Sequence, residues 1–161
     1  MNLEDTIAHL NRLIETSKDG ELGYRTASHH VRNPQLQTIF EDYEKQRAHF
    51  ARQLQSEVER LGGDAGASGS LAAAIHRGWI DVKSALSGGD GSAIVAACEA
   101  GEEGAVAAYE KVLDMDISGE TRTLVSNQSQ QVREAHEHMM RLKESKTAAA
   151  GSSTNDMKQK V

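Results

Sequence analysis

Leu3, Ile7, Leu10, Ile14, Ser17, Glu21, Tyr24, Ser28 and Val31 are separated by steps of three and four residues. That spacing places them on one face of an α-helix. The face is apolar towards its start and polar at its middle, where Glu21 stands between Gly20 and Gly23. A second stretch repeats the pattern with Ile94, Cys98, Glu102, Ala105, Tyr109 and Val112, and here Gly101 and Gly104 frame Glu102. A glycine inside a helix costs ~1 kcal/mol relative to alanine. In return it lets a backbone or a bulky side chain come close. Two such pairs, each around a glutamate on the buried stripe, point to a helical bundle with two inward carboxylates.

The remaining segments fit that bundle. Asn2 is a good N-cap for the first helix, which should end at Arg32 before Asn33-Pro34. The second helix should run from Pro34 to about Leu61, with Leu36, Ile39, Phe40, Tyr43, Gln46, Phe50, Leu54, Val58 and Leu61 inward and Gly62-Gly63 as its stop. A link of about a residue forces these two helices into an antiparallel hairpin. A glycine- and serine-rich loop then opens a crossover over 62–89. It carries a short helix with Leu71, Ile75, Trp79, Val82 and Leu86 on one face, anchored by Trp79, the single tryptophan. Asp90 caps a third helix reaching about Met115. A fourth spans 119–146, with Leu124, Val125, Gln128, Val132, His136, Met139 and Leu142 inward. Residues 1–146 thus form one all-α domain. Residues 147–161 lack periodicity and are expected to be a disordered tail. Short link, long crossover, short link is the wiring of a ferritin-like four-helix bundle, whereas a simple up-down bundle has three short loops.

Charge and composition narrow the function. The chain has 161 residues, enough for one domain with a real core. Its net charge of −6 argues against nucleic acid as a partner. No apolar run is long enough to span a membrane, and the acidic start Met1-Asn2-Leu3-Glu4-Asp5 does not resemble a signal peptide. The single cysteine, Cys98, cannot form an internal disulfide and sits among Ile94, Ala97 and Ala105 as a core residue. These features lead to the expectation of a cytoplasmic protein, with self-association left open. There is no nucleophile–base pair, phosphate-binding glycine loop or cysteine pair to support other enzyme classes.

The two halves look like copies. Residues 19–31 align with 100–112 at both glycines, at Glu21 and Glu102, at Ala27 and Ala108, and at Val31 and Val112. Further on, Gln46-Arg47-Ala48-His49 parallels Arg133-Glu134-Ala135-His136. Two glutamates and two histidines at matched places make Glu21, His49, Glu102 and His136 a candidate ligand set, sufficient for one zinc or another divalent ion in four-coordinate geometry. Helix registers shifted by a residue or so bring in Glu99 or Glu103 instead. His9, His29, His30, His76 and His138 read as surface or helix-end residues, and Tyr24, Tyr43, Phe50 and Tyr109 as core packing.

This layout resembles the ferritin-like di-metal carboxylate site, over nearly all of residues 3–146. More closely, the chain is similar to a bacterial family of ferritin-like four-helix bundles of unknown function. The resemblance rests on Asp19-Gly20-Glu21-Leu22-Gly23-Tyr24, Leu61-Gly62-Gly63, and Gly69-Ser70-Leu71 followed by His76-Arg77-Gly78-Trp79. It implies iron as the natural metal and a link to stress physiology. The chain departs from the ferritin pattern at the carboxylates expected three residues before each histidine, which are Gln46 and Arg133. Two metal ions need bridging anionic oxygens, and a guanidinium there opposes them. Arg133 is then expected to pair with Glu21 and Glu102 in a metal-free ionic core. The leading expectation is a non-enzymatic bundle with a degenerate metal-site core and no catalytic residue. The alternative is a metal-binding or di-iron carboxylate protein, ferroxidase-like if it is an enzyme.

Overall fold

A computed structural model describes residues 2–66, 79, 91–117 and 119–159 of the chain, with side chains through residue 145. Four helices account for almost all of it: α1 (Leu3–His30), α2 (Pro34–Arg60), α3 (Gly91–Leu113) and α4 (Gly119–Gln159). α1 packs along α2, α3 packs along α4, and α1 also faces α3, while α2 and α4 meet more sparsely. The architecture is the expected all-α four-helix bundle built from two hairpins. The short helix expected in the crossover lies outside the described residues, apart from Trp79. No described helix is long and apolar enough to cross a membrane.

The helix ends follow local chemistry. The Asn2 side chain accepts a hydrogen bond from the Asp5 amide at 2.8 Å, and Asn33 accepts from the amides of Gln35 and Leu36 at 2.9 and 3.2 Å. Each satisfies backbone donors that have no partner within the helix. Pro34 occupies the start of α2, where its missing N–H does no harm. α2 ends on Gly62 at φ +84°, with Gly62 N–H bonded to the Glu59 carbonyl and Gly63 N–H to that of Val58. This paired closure requires a left-handed residue that glycine supplies at little cost. Arg122 reaches back to the carbonyls of Leu113, Met115 and Ile117, so a cation meets the negative end of α3. The backbone of α4 stays helical to Gln159, through the stretch whose composition suggested a tail.

The core divides into two apolar halves. One gathers Leu10, Leu13, Ile14, Phe50, Leu54, Val58, Tyr109, Val125 and Val132. The other gathers Tyr24, Ala27, Phe40, Trp79, Ile94, Cys98 and Met139. Between them along α1, α2 and α3 lie the buried polar groups Ser17, Arg47 and Glu102, and Gln128 of α4 is buried beside them within the first half. The Tyr109 hydroxyl donates to Gln128 at 2.8 Å and lies 3.3 Å from the Ser17 hydroxyl. The Gln128 amide in turn donates to the Phe50 carbonyl and to Gln53. That network ties all four helices together, which is how a buried polar level avoids the cost of unmet hydrogen bonds.

Trp79 explains two of the four paired glycines. Its ring is nearly buried and stands edge-on to Tyr24, with centroids 4.9 Å apart. A Cβ on Gly23 would lie 2.3 Å from the Trp79 ring, and one on Gly101 would lie 2.5 Å from it. Each hairpin therefore contributes a bare backbone to one side of the indole. Gly20 admits Arg47 instead, whose Cγ lies 3.1 Å from the position a Cβ would take. A Cβ on Gly104 would have nothing within 4 Å, so the repeated sequence does not carry a repeated function there.

Gly101→Ala should therefore destabilise the protein by ~1–3 kcal/mol through overpacking. Gly104→Ala should stabilise it by ~0.4–1 kcal/mol, because alanine restricts the unfolded chain and suits the helix. In a Trp79→Ala background the Gly101→Ala loss should largely vanish. Chemical denaturation of these variants checks all three, and equal effects at positions 101 and 104 would show that Trp79 does not set the close approach.

Candidate functional site

Three helices place one polar residue each at the centre of the bundle: Tyr24 from α1, Arg47 from α2 and Glu102 from α3. Arg47 is 1% exposed and Glu102 is fully buried. One Arg47 guanidinium nitrogen donates to both Glu102 oxygens, at 2.7 and 2.9 Å. The Tyr24 hydroxyl donates to the same carboxylate. The Arg47 Nε donates to Gln46 at 3.3 Å. The guanidinium also lies 5.8 Å from the centre of the Tyr24 ring and 5.9 Å from that of Phe50, within range of cation–π attraction. Gly20 leaves the room in which the arginine stem crosses α1.

The electrostatics follow from this burial. Burial works against the Arg47 charge, but the Glu102 carboxylate, with Tyr24 and Tyr109 adding to it, raises the value and the net shift is upward. The Tyr24 hydroxyl is pushed well above its ordinary range by burial and then by the Glu102 charge. The same two causes hold the Cys98 thiol well above its usual value. Tyr24 and Cys98 thus stay protonated at neutral pH, and Cys98 is a core residue rather than a nucleophile. Nearer the surface, the hydroxyl of Tyr43 lies 2.7 Å from the Nδ1 of His138, whose imidazole is shifted down by burial and by Arg141. In that contact either group can donate, according to which imidazole nitrogen carries the proton.

The four residues proposed as metal ligands do not converge on one point. Glu102 is in the core, engaged by Arg47 and Tyr24. Glu21 is turned towards the surface, its side chain 26% exposed and paired with Arg25 at 3.0 Å, which also binds Glu44. His49 is exposed. His136 is half-buried on the α3–α4 side and meets Glu99 at 3.0 Å. The expected facing of Glu21 and Glu102 is therefore corrected, and so is the counter-ion. Arg133 is 54% exposed and pairs with Glu110 on the surface, while Arg47 neutralises Glu102. The physical reason lies in α1: Gly20 rather than Glu21 points inward, because the arginine needs a position without a side chain.

Sequence reading missed Arg47. The signal was present in Gly20, one helical turn before Tyr24 and free of a side chain. An arginine, however, is rarely fully buried, and Gln46 fits the α2 stripe equally well. Sequence reading also gave Asp19 no role. Burial and the neighbouring Glu15 charge push its carboxyl up to about 7. One oxygen of each of these two carboxyls is buried with no hydrogen-bond partner.

Two measurements test these assignments. Removing one member of a buried ion pair typically costs ~3–5 kcal/mol. Arg47→Met and Glu102→Gln should each cost that much, and the double variant clearly less than their sum. Additive losses in denaturant titrations would show that the pair is not coupled. For Asp19, a raised value in the folded state means that the folded chain keeps a proton that the unfolded chain releases. Stability should then fall as pH rises from about 4 to about 7. The melting temperature should be lower at pH 8 than at pH 5, and Asp19→Asn should remove most of that difference.

Comparison with known proteins places the chain in a family. No curated protein matches the chain. A family model described as "Domain of unknown function (DUF2383)" matches residues 5–115. The matched stretch contains α2, α3 and α1 from Asp5 on, and with them Tyr24, Arg47, Trp79 and Glu102, while α4 lies beyond it. The chain belongs to the DUF2383 family.

Proposed function

We propose that this protein is a non-enzymatic bundle of ferritin-like wiring, in which an arginine–glutamate pair stands where a metal centre would. The observation that carries this reading is the complete burial of Arg47 against both oxygens of Glu102. A divalent ion at that place would have to displace a guanidinium that is already neutralised and hydrogen-bonded. The donors around it do not fit a di-metal centre, since Glu102 is the one carboxylate among the four proposed ligands that lies in the core. Two metal ions held by a single carboxylate beside a fixed positive charge would be strongly repelled. The core pair instead supports a structural or interaction role. The acidic net charge and the buried thiol of Cys98 support a cytoplasmic site of action and a partner other than nucleic acid.

The competing reading is a metal-binding or di-iron protein using Glu21, His49, Glu102 and His136. Ferrous iron titration under anaerobic conditions, followed by admission of oxygen, separates the two. The purified protein should oxidise iron no faster than buffer alone, and His49→Ala should change neither its metal content nor its melting temperature in iron. Catalytic iron oxidation, or stoichiometric iron that survives dialysis in the parent and is lost in His49→Ala, would overturn the proposal. His49 is exposed, so that variant keeps the fold and the outcome reads on ligation.

A further inference from the structure

Away from the buried pair, the outer side of the α3–α4 hairpin carries a second cluster of metal-ligating side chains. Glu99 and Glu103 are one helical turn apart on α3, and His136 faces them from α4. One ligand atom from each lies within 4.8 Å of the others. His136 Nε2 is 3.0 Å from a Glu99 oxygen, and these two side chains are 22% and 16% exposed. Glu103 is exposed. We propose that Glu99, Glu103 and His136 form a surface site for a single first-row divalent cation of the zinc type.

The chemistry of the cluster favours a cation over a self-contained ion pair. Two carboxylates at this spacing on one helix repel each other. Neither is bonded to a lysine or arginine among the described residues. The nearest arginine in sequence on α4, Arg133, is turned to Glu110. One imidazole cannot neutralise two carboxylates, whereas a divalent ion can. The donor set of one nitrogen and two oxygens suits zinc, with water completing four-coordinate geometry. It does not suit magnesium, which prefers an octahedron of oxygens. Zinc sits about 2.0–2.2 Å from such donors, so binding draws the three atoms inward, and Glu103, the exposed member, has the freedom to close. The site shares no residue with the Arg47–Glu102 pair, and a zinc ion here leaves that pair intact.

Calorimetric titration of the full chain with zinc chloride, in a buffer that does not chelate metals, tests the site. One zinc ion per chain should bind, and magnesium at the same concentration should give no heat. His136→Ala and Glu103→Gln should each weaken zinc at least tenfold, whereas His49→Ala and His138→Ala should not. Absence of zinc binding would overturn the proposal, as would binding unchanged in His136→Ala and Glu103→Gln. Glu103 is exposed, so its variant keeps the fold even if the half-buried His136 proves sensitive. Loss of zinc in these two variants with no effect of His49→Ala separates this site from the core ligand set, so the proposed function and this inference fail independently.

Discussion

Everything at the centre of this bundle depends on one guanidinium taken out of water. Moving an ion of that kind into a protein interior costs several kcal/mol, and here a carboxylate is buried with it. The cost is offset by a set of interactions that must all be present together. Both Glu102 oxygens accept from Arg47, Tyr24 adds a third donor, and two aromatic rings lie beside the cation. Because Arg47 and Glu102 come from α2 and α3, sliding either helix by one turn would strand a charge in the core, while sliding α1 would remove the Tyr24 donor and the space at Gly20. The pair thus constrains register, whatever it adds to stability. Apolar residues of the same volume would pack without fixing which turn faces which.

The indole of Trp79 completes that centre. It rests on the bare backbones at Gly23 and Gly101 and against the edge of Tyr24, whose hydroxyl reaches Glu102. A single side chain from the crossover thus touches both hairpins and the residue that donates to the buried carboxylate. Deleting it would open the apolar half of the core and loosen the positioning of Tyr24. The glycine pairs that first marked the sequence are in this sense receptors for two large side chains, Arg47 and Trp79, with Gly104 as the exception that meets nothing.

The bundle, its two hairpins, the helix caps and the anchoring tryptophan were all legible from spacing and turn chemistry. The site was legible only to within one residue, and the same ambiguity recurs on three helices. Between Ser17 and Tyr24 a step of three or four reaches either Gly20 or Glu21. Between Tyr43 and Phe50 it reaches Gln46 or Arg47, and between Val132 and Met139 it reaches Ala135 or His136. In each case periodicity admits both positions, and residue chemistry was used to choose. The internal repeat favours Glu21, and the ferritin-like layout favours Gln46 and His136. The chain took the other position each time: Gly20, Arg47 and Ala135 are buried. These three choices are linked. Once Arg47 points inward it needs Gly20 beside it, Glu21 rotates out to Arg25, and Glu102 is left with one partner rather than a ring of ligands. α3 lacks this ambiguity because Gly101 and Glu102 are both buried, one for Trp79 and the other for Arg47.

That linkage also decides where chemistry can reside. The groups that would be reactive in an open pocket, the Cys98 thiol and the Tyr24 hydroxyl, are held protonated by burial and by the Glu102 charge. The cation that would recruit an anionic ligand is already spent on a carboxylate of the same chain. Among the described residues, this centre offers a ligand no unpaired charge. Ala135 displaces His136 from the axis. A histidine one position further along the helix leaves the core and reaches the α3 carboxylates at the rim. The one-residue rotation that removes a ligand from the bundle axis thus creates the mixed imidazole and carboxylate cluster on its surface.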